Sequence, residues 1–243
     1  MTVPSNPKIP SRRQDLPLAN ETELKAFLRQ VEQIPPPAAG RGGRLIFAMD
    51  ATASREPTWD QAMAIQAAMF KETLSLGGLA VQLCHFGGFL EFAASPWIKG
   101  SQELLGQMTR VHCVAGLTQI ARVLEHALEE VKAGRVDALV FIGDAMEEDP
   151  ARLRDLAGQL GLLGLPVFVF QEGRDPAVER TFKAIASLSG GAWCPFDAQS
   201  PGVLRDLLSA VAVFAAGGRR ALEDFGRRRG GAVLRLTQAL RRD

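Results

Sequence analysis

The sequence predicts an α/β fold built on a doubly wound, mostly parallel β-sheet. From residue 44 onward, apolar strand-like runs alternate with segments of helical periodicity, and this alternation is typical of a parallel sheet covered by helices on both faces. Several helical segments open at an Asp-Pro or Ser-Pro pair, in which the first residue caps the helix and the proline takes its first position. Gly87 and Gly88 predict a hairpin turn, which adds one antiparallel edge strand. The predicted architecture is Rossmann-like.

The length and composition indicate one domain with appendages. The chain has 243 residues, of which 47% are hydrophobic, and its 28 basic and 27 acidic residues leave a formal net charge of +1. This balance excludes a general polyanion binder and an acidic tail protein. We divide the chain into an N-terminal region with a short helix and a Pro/Gly linker (residues 1–43), the α/β domain (44–216) and a basic C-terminal tail (217–243).

The N-terminal region carries one predicted helix. Residues 1–19 are rich in Pro, Ser and charged residues, and we predict that they are disordered. Asn20 then precedes a segment whose apolar residues fall on one helical face, and a run of three prolines from Pro35 ends it. The apolar face consists of Leu24, Phe27, Leu28 and Val31.

The elements of the domain follow one another in a regular order. Short apolar runs predict strands at residues 45–49, 79–85, 89–93, 138–143, 165–170 and 193–196. Helical periodicity and cap-proline pairs predict helices at residues 57–76, 101–109 and 118–132, then from 150, from 176 and from 201 to about 215. In the first of these helices the predicted inward-facing residues are Ala62, Ile65, Met69 and Leu74.

Oxygen-bearing side chains occur where the predicted strands end. Asp50, Thr52 and Ser54 lie together in DATAS after the first strand, Thr118 opens the middle helix, and Asp144 follows the fourth strand. Ligands of doubly wound sheets bind beyond the carboxyl ends of the strands, so we expect these groups to converge. Taken singly, each residue is better explained as a helix cap or a turn residue. Taken together, carboxylates and hydroxyls predict a site for Mg²⁺, or for Mn²⁺ or Ca²⁺.

The order of these residues resembles the metal-ion-dependent adhesion site (MIDAS) of the von Willebrand factor type A (VWA) domain family, which combines a DxSxS motif with a later threonine and a later aspartate. The resemblance covers roughly residues 44–216. It implies that Asp50, Thr52 and Ser54 form the first loop of the site, Thr118 the second and Asp144 the third. It also implies a stand-alone, bacterial-type cytosolic member that is not an enzyme and needs no small-molecule cofactor. Such a member binds a protein through the metal, with a Glu or Asp of the partner completing the coordination.

Two residues depart from the family pattern. Thr52 stands where serine is more usual, which keeps the hydroxyl group and adds a methyl group near the ion. Ala145 follows Asp144 where glycine is frequent, so we expect a stiffer loop and a narrower approach to the metal.

Three further residues are candidates for a partner-binding rim: Glu147, Glu148 and Trp97. The two glutamates follow Asp144 closely and would add negative charge, although a solvated loop is the preferred interpretation of both. Trp97 lies between Pro96 and a basic loop, and core packing is its competing interpretation.

Two other functions stay open. An ion held by two aspartates can activate water, so a Mg²⁺-dependent phosphoester hydrolase is the enzyme alternative, although no histidine follows Asp144 closely as a general base. The C-terminal tail interleaves arginines with apolar residues, a pattern that suits nucleic acid or an anionic membrane. A helix docked on the domain is the preferred interpretation of the tail.

The cysteines indicate a reducing compartment. Cys84, Cys113 and Cys194 are odd in number and form no CxxC pair, which argues against a disulfide framework. The N-terminal sequence has no apolar stretch typical of a signal peptide, so we expect a cytoplasmic protein. Zinc binding by the Cys84-His85 and His112-Cys113 pairs is disfavoured, because neighbouring strand residues point to opposite faces.

Overall fold

One sheet organises the chain, as described by a computed structural model for residues 26, 27, 29–31, 42–88, 91–196 and 201–229. Its strands are β1 (Gly43–Asp50), β2 (Leu79–Gly87), β3 (Glu91–Ala94), β4 (Ala138–Gly143), β5 (Val167–Glu172) and β6 (Trp193–Phe196). They lie in the order β3-β2-β1-β4-β5-β6, and every neighbouring pair is parallel except β2 and β3. The predicted doubly wound, mostly parallel α/β fold with one antiparallel edge strand is therefore confirmed.

The helices connect these strands. They are α1 (Glu56–Thr73), α2 (Ser101–Met108), α3 (Ile120–Ala133), α4 (Pro150–Leu162), α5 (Pro176–Leu188) and α6 (Pro201–Arg229). The carboxylate of Asp149 accepts a hydrogen bond from the Ala151 amide at 3.0 Å, and that of Asp175 accepts one from Ala177 at 2.7 Å. Both contacts satisfy amides in the first turn of a helix, so the Asp-Pro pairs act as predicted.

Two hydrophobic cores lie on the two faces of the sheet. Leu45, Phe47 and Met49 of β1 pack with α1, α2 and α6, whereas Ile46 and Ala48 pack with α3, α4 and α5. Successive side chains of a strand point to opposite faces, so the continuous apolar run of β1 supplies both cores.

The buried face of α1 differs from the prediction at one residue. Ala62 and Met69 are buried, and Ile65 is partly buried against the core, but Leu74 is 73% exposed. The helix ends at Thr73, whose hydroxyl donates to the carbonyls of Met69 and Phe70. Residues 74–76 then form a 3₁₀ turn, and this tighter turn moves Leu74 off the helical periodicity that predicted its burial.

The last helix is longer than the predicted segment ending near residue 215. It continues to Arg229 across a kink at Gly218, where φ is +69°, and Leu222 and Phe225 beyond the kink are buried. Glycine adopts this left-handed conformation at little cost, which lets the helix turn back onto the core. The first apolar residues of the basic tail therefore pack inside the domain, and the second apolar set of the tail lies outside the described residues.

The N-terminal helix also contributes to a core. Its described residues, 26, 27 and 29–31, are helical. The Phe27 ring meets the rings of Phe168 and Phe170 with centroids 6.1 and 5.4 Å apart, and Val31 is buried. Leu24 and Leu28 of the predicted face lie outside the described residues. In the part of the chain that is described, no helix has the length and apolar character needed to cross a membrane.

Candidate metal centre

The two predicted aspartates of the site lie at the point where the strand order reverses. The chain passes from β1 outward to β2 and β3, then returns to β4 on the other side of β1. Asp50 is the last residue of β1, and Asp144 directly follows the last residue of β4. Doubly wound sheets leave a crevice at this position, because the loops from the two central strands diverge.

The Asp50 loop is held by backbone and side-chain hydrogen bonds. The Asp50 Oδ1 atom accepts from the Thr52 amide at 2.7 Å. The Ala51 amide donates to the Phe86 carbonyl at 2.8 Å, and the Val114 amide donates to the Ala51 carbonyl at 3.0 Å. The DATAS loop is therefore fixed between the end of β2 and the segment that leads to α3.

A chain of hydroxyl groups joins the Asp50 loop to Asp144. The Thr52 and Ser54 hydroxyl oxygens are 3.3 Å apart, and Ser54 donates to Asp144 Oδ2 at 3.1 Å. These contacts involve only one oxygen of each carboxylate. The other two oxygens, Asp50 Oδ2 and Asp144 Oδ1, are buried and have no hydrogen-bond partner among the described residues. Buried carboxylate oxygens without partners are costly, and they cluster at functional sites.

Burial changes the acidity of Asp50. The side chain is 1% exposed, and its loss of hydration raises the pKa from the ordinary 3.8 to about 6. The hydrogen bonds with Thr52 lower the pKa, but by less than burial raises it, and the nearby Asp144 carboxylate raises it further. A bound cation would offset both the lost hydration and the repulsion between the two carboxylates.

The donor set suits a hard divalent cation. Asp50, Thr52, Ser54 and Asp144 present only oxygen atoms, and two of the carboxylate oxygens are otherwise unsatisfied. Within the described residues, no three or more His, Cys, Asp and Glu side chains group together for a metal, so a site here depends on the hydroxyls. Such a set matches Mg²⁺ or Ca²⁺ better than zinc.

Thr118 is engaged elsewhere. Its hydroxyl donates to Glu147 Oε2 at 2.7 Å and accepts from the Glu147 amide at 3.2 Å. Glu148 accepts from the amides of Ile120 and Ala121, at 2.5 and 2.9 Å, and so covers the N-terminus of α3. Burial raises the pKa of Glu148, and these two hydrogen bonds lower it. The two glutamates tie the Asp144 loop to the Thr118 loop. Glu147 is exposed, as expected of a solvated loop, whereas Glu148 is half-buried, which corrects that interpretation for Glu148 alone.

Trp97 lies at the other end of the sheet. The Arg44 guanidinium sits over its ring, 3.9 Å from the centroid, and its indole nitrogen donates to Glu130 at 3.1 Å. Arg44 belongs to the start of β1, opposite the end that carries Asp50. The structure therefore does not bring Trp97 to the rim of the candidate metal centre, and it places the ring partly in a core.

The sheet separates the members of the first cysteine-histidine pair, Cys84 and His85. Cys84 is buried in the core with α3, whereas the His85 ring meets the Trp59 ring of α1 edge-on at 6.0 Å on the opposite face. Cys113 packs against the core that contains α1. Strand alternation therefore separates Cys84 from His85 as predicted.

Arg55 and Glu172 belong to the site but were not predicted from the sequence. Arg55 follows Ser54 and is 2% exposed, with its Nη1 atom 3.7 Å from Asp144 Oδ2. Its Nη2 atom pairs with the carboxylate of Glu172, the last residue of β5. The sequence contains one indication of this pairing. Arg55 precedes the first residue of α1, where a positive charge opposes the helix dipole, so a nearby carboxylate is expected to compensate for it.

Gly116, in the loop that leads to Thr118, packs closely against the backbone of Gly88. The substitution Gly116→Ala tests how much this contact contributes to stability. A Cβ at Gly116 would lie 2.2 Å from the Gly88 carbonyl oxygen, so we expect the loop to move and the free energy of unfolding to fall by about 1–3 kcal/mol. Gly106→Ala on α2 is the matched control, because its Cβ meets nothing within 4 Å. Urea denaturation of both variants measures the effect, and equal stabilities would contradict it.

The fold and the site together define a class of protein. It is a doubly wound α/β domain with a buried carboxylate and hydroxyl cluster at the switch point of the sheet. No family model matches the sequence, and no curated protein matches it either.

Solved structures give the type of fold. A von Willebrand factor type A protein from Catenulispora acidiphila superposes with a TM-score of 0.59 at 13% identity, over 72% of this chain and 43% of that one. The SpRpn10 VWA domain superposes with a TM-score of 0.52 at 16% identity, over 69% of this chain and 94% of that one. Proximal thread matrix protein 1 from the mussel byssus, with a zinc-occupied MIDAS motif, superposes with a TM-score of 0.55 at 15% identity. The match covers 72% of this chain and 46% of that one. The chain has a VWA-type fold, and it spans less than half the length of the first and third of these proteins.

Proposed function

We propose that this protein is a divalent-cation-dependent protein-binding module, of the adhesion or scaffold type. One observation carries the proposal: Asp50 Oδ2 and Asp144 Oδ1 are buried and have no partner among the described residues, at strand ends joined through Ser54. The zinc-occupied MIDAS motif of the mussel protein, which has a similar fold, supports a divalent ion in this proposal. We assign no reaction to the site.

In this proposal Asp50, Thr52, Ser54 and Asp144 hold the ion, and Mg²⁺, Mn²⁺ or Ca²⁺ supplies a positive charge with an exchangeable coordination position. Thr118 joins them if its hydroxyl leaves Glu147. A Glu or Asp of the partner occupies the exchangeable position, so binding is both directional and cation-dependent.

The surroundings of the site favour a protein as the partner. Val114 and Leu117 are 42% and 61% exposed, and the Val114 amide is bonded to the DATAS loop. Exposed apolar side chains beside a polar site are typical of protein interfaces. We also propose a cytoplasmic location, which the free thiols of Cys84 and Cys113 support.

Asp144→Ala tests the proposal directly. We expect this variant to lose saturable Mn²⁺ binding and to lose capture of cytosolic partners in Mg²⁺, whereas the wild type captures them in Mg²⁺ and not in chelator. Calorimetric titration and affinity capture measure the two effects. Asp149→Asn is the control, since it removes a carboxylate from the same loop and keeps an effective cap for α4. Equal capture by wild type and Asp144→Ala, with or without chelator, would refute the proposal.

A further inference from the structure

Two carboxylates flank one buried guanidinium at the candidate metal centre. Asp144 follows β4 and Glu172 ends β5, and the two strands are neighbours in the sheet. Arg55 lies between these carboxylates and is 2% exposed. The chain therefore brings its own cation to within 3.7 Å of a carboxylate that is also a candidate metal ligand.

The guanidinium is bound to Glu172 and only approaches Asp144. Its Nη2 atom donates to Glu172 Oε2, and also to the Thr58 hydroxyl at 3.0 Å. Thr58 donates to the same Glu172 oxygen. By contrast, Arg55 Nε and Nη1 have no hydrogen-bond partner within the described part of the chain, and Asp144 Oδ2 accepts from Ser54.

We propose that Glu172 is a positioning residue for the metal centre: by holding the Arg55 guanidinium, it leaves the Asp144 carboxylate to the ion. Without the charge of Glu172, the nearest carboxylate to the buried guanidinium is that of Asp144. A guanidinium that cannot reach water pairs with it, because an unpaired buried charge is costly. This pairing cancels the negative charge that attracts the ion. The inference rests on the proposed function, since it concerns the ion that Asp50 and Asp144 hold.

Glu172→Gln separates the charge of this residue from its shape. Glutamine keeps an oxygen that accepts from Thr58, but it no longer neutralises Arg55. We expect the affinity of the folded protein for Mn²⁺, measured by the loss of the free-ion electron paramagnetic resonance signal, to fall about tenfold or more. Removing the guanidinium as well, in Arg55→Gln/Glu172→Gln, should restore the affinity to within about threefold of the wild type.

Two further variants complete the test. Arg55→Gln alone leaves Glu172 unpaired beside the site, so it should bind Mn²⁺ at least as tightly as the wild type, and this expectation does not depend on whether Glu172→Gln folds. Glu179→Gln neutralises a carboxylate of the exposed pair with Lys183 and should leave the affinity unchanged.

The outcomes distinguish the inference from the proposed function. Wild-type protein that shows no saturable Mn²⁺ binding would overturn both. Wild-type binding with an unchanged affinity in Glu172→Gln, or a tenfold loss in Arg55→Gln, would overturn only the role of Glu172. If Glu172→Gln lowers the stability of the protein but leaves its Mn²⁺ affinity unchanged, Arg55 and Glu172 form an ion pair with a structural role only.

Discussion

Replacing Asp50 by Asn is expected to stabilise the protein in the absence of divalent ions, by up to about 3 kcal/mol at neutral pH. The Asp50 carboxylate is buried, and the rise of its pKa from 3.8 to about 6 corresponds to this free energy, at about 1.4 kcal/mol for each pKa unit. Asparagine keeps an oxygen for the Thr52 amide and carries no charge into the interior. Chemical denaturation in chelator measures the difference from the wild type.

The same substitution should remove the response to metal. A divalent ion that binds only the folded state raises its stability by mass action, so Mg²⁺ is expected to raise the melting temperature of the wild type and not that of Asp50→Asn. The site therefore sacrifices stability for binding, as functional sites commonly do. A variant that is less stable in chelator, or that still gains stability from Mg²⁺, would contradict this prediction.

The contribution of Asp50 to the free energy of unfolding depends on pH in a definite direction. Its pKa in the folded protein lies above the ordinary value, so the protonated form favours folding. This contribution is complete below about pH 3.8 and is lost as the pH rises through about 6. The stability advantage of Asp50→Asn should therefore be absent near pH 4 and complete at neutral pH.

Asp137 provides the control for this prediction. Burial also raises the pKa of Asp137, but both of its oxygens are satisfied, by the Arg44 amide at 2.9 Å and by Arg135 Nε at 2.7 Å. Asp137→Asn removes a buried charge but also the ion pair with Arg135, so we expect it to stabilise the protein less than Asp50→Asn does. A smaller effect at Asp137 than at Asp50 would show that missing partners, and not burial alone, set the cost at Asp50.

The combined substitution Leu222→Ala/Phe225→Ala is expected to lower the free energy of unfolding by about 5 kcal/mol or more. Both side chains are buried, at 4% and 3% exposure, and belong to the core that contains α1 and β1. Because a domain of this kind is stable by only about 5–15 kcal/mol in total, removal of residues 217–243 should leave it largely unfolded. Circular dichroism during urea titration measures both effects.

Arg220→Ala is the control for the α6 prediction. Arg220 is exposed on the same helix segment, so its loss should change the free energy of unfolding by no more than about 0.5 kcal/mol. A folded and equally stable protein ending at Ala216 would show that the domain is complete at the end predicted from the sequence.

Strand ends and helix starts were predictable because local residues encode them. The apolar run before Asp50 and the Asp149-Pro150 pair each act within a few positions of the chain, so both could be read without a tertiary structure. The 3₁₀ turn at Leu74 and the kink at Gly218 were missed, because each changes the direction of the chain within one residue of a strong helical pattern.

The contacts within the candidate metal centre were only partly predictable. Polar residues at the ends of parallel strands are expected to meet, which brings Asp50, Ser54 and Asp144 together. No local pattern indicates that Glu147 binds the hydroxyl of Thr118, since this contact depends on how two loops pack. Nor could Arg55 be matched with Glu172, which lies 117 residues away.

The order of strands and helices, the two buried faces and the presence of carboxylates at the switch point are properties of the sequence, because periodicity and capping act over a few residues. The choice of partners for those carboxylates belongs to the tertiary structure. Strand order places β5 beside β4, which brings Glu172 next to Arg55. Packing of the loops leaves one oxygen each of Asp50 and Asp144 without a partner in the described chain. Such pairings between distant residues depend on tertiary packing, and local sequence patterns do not predict them.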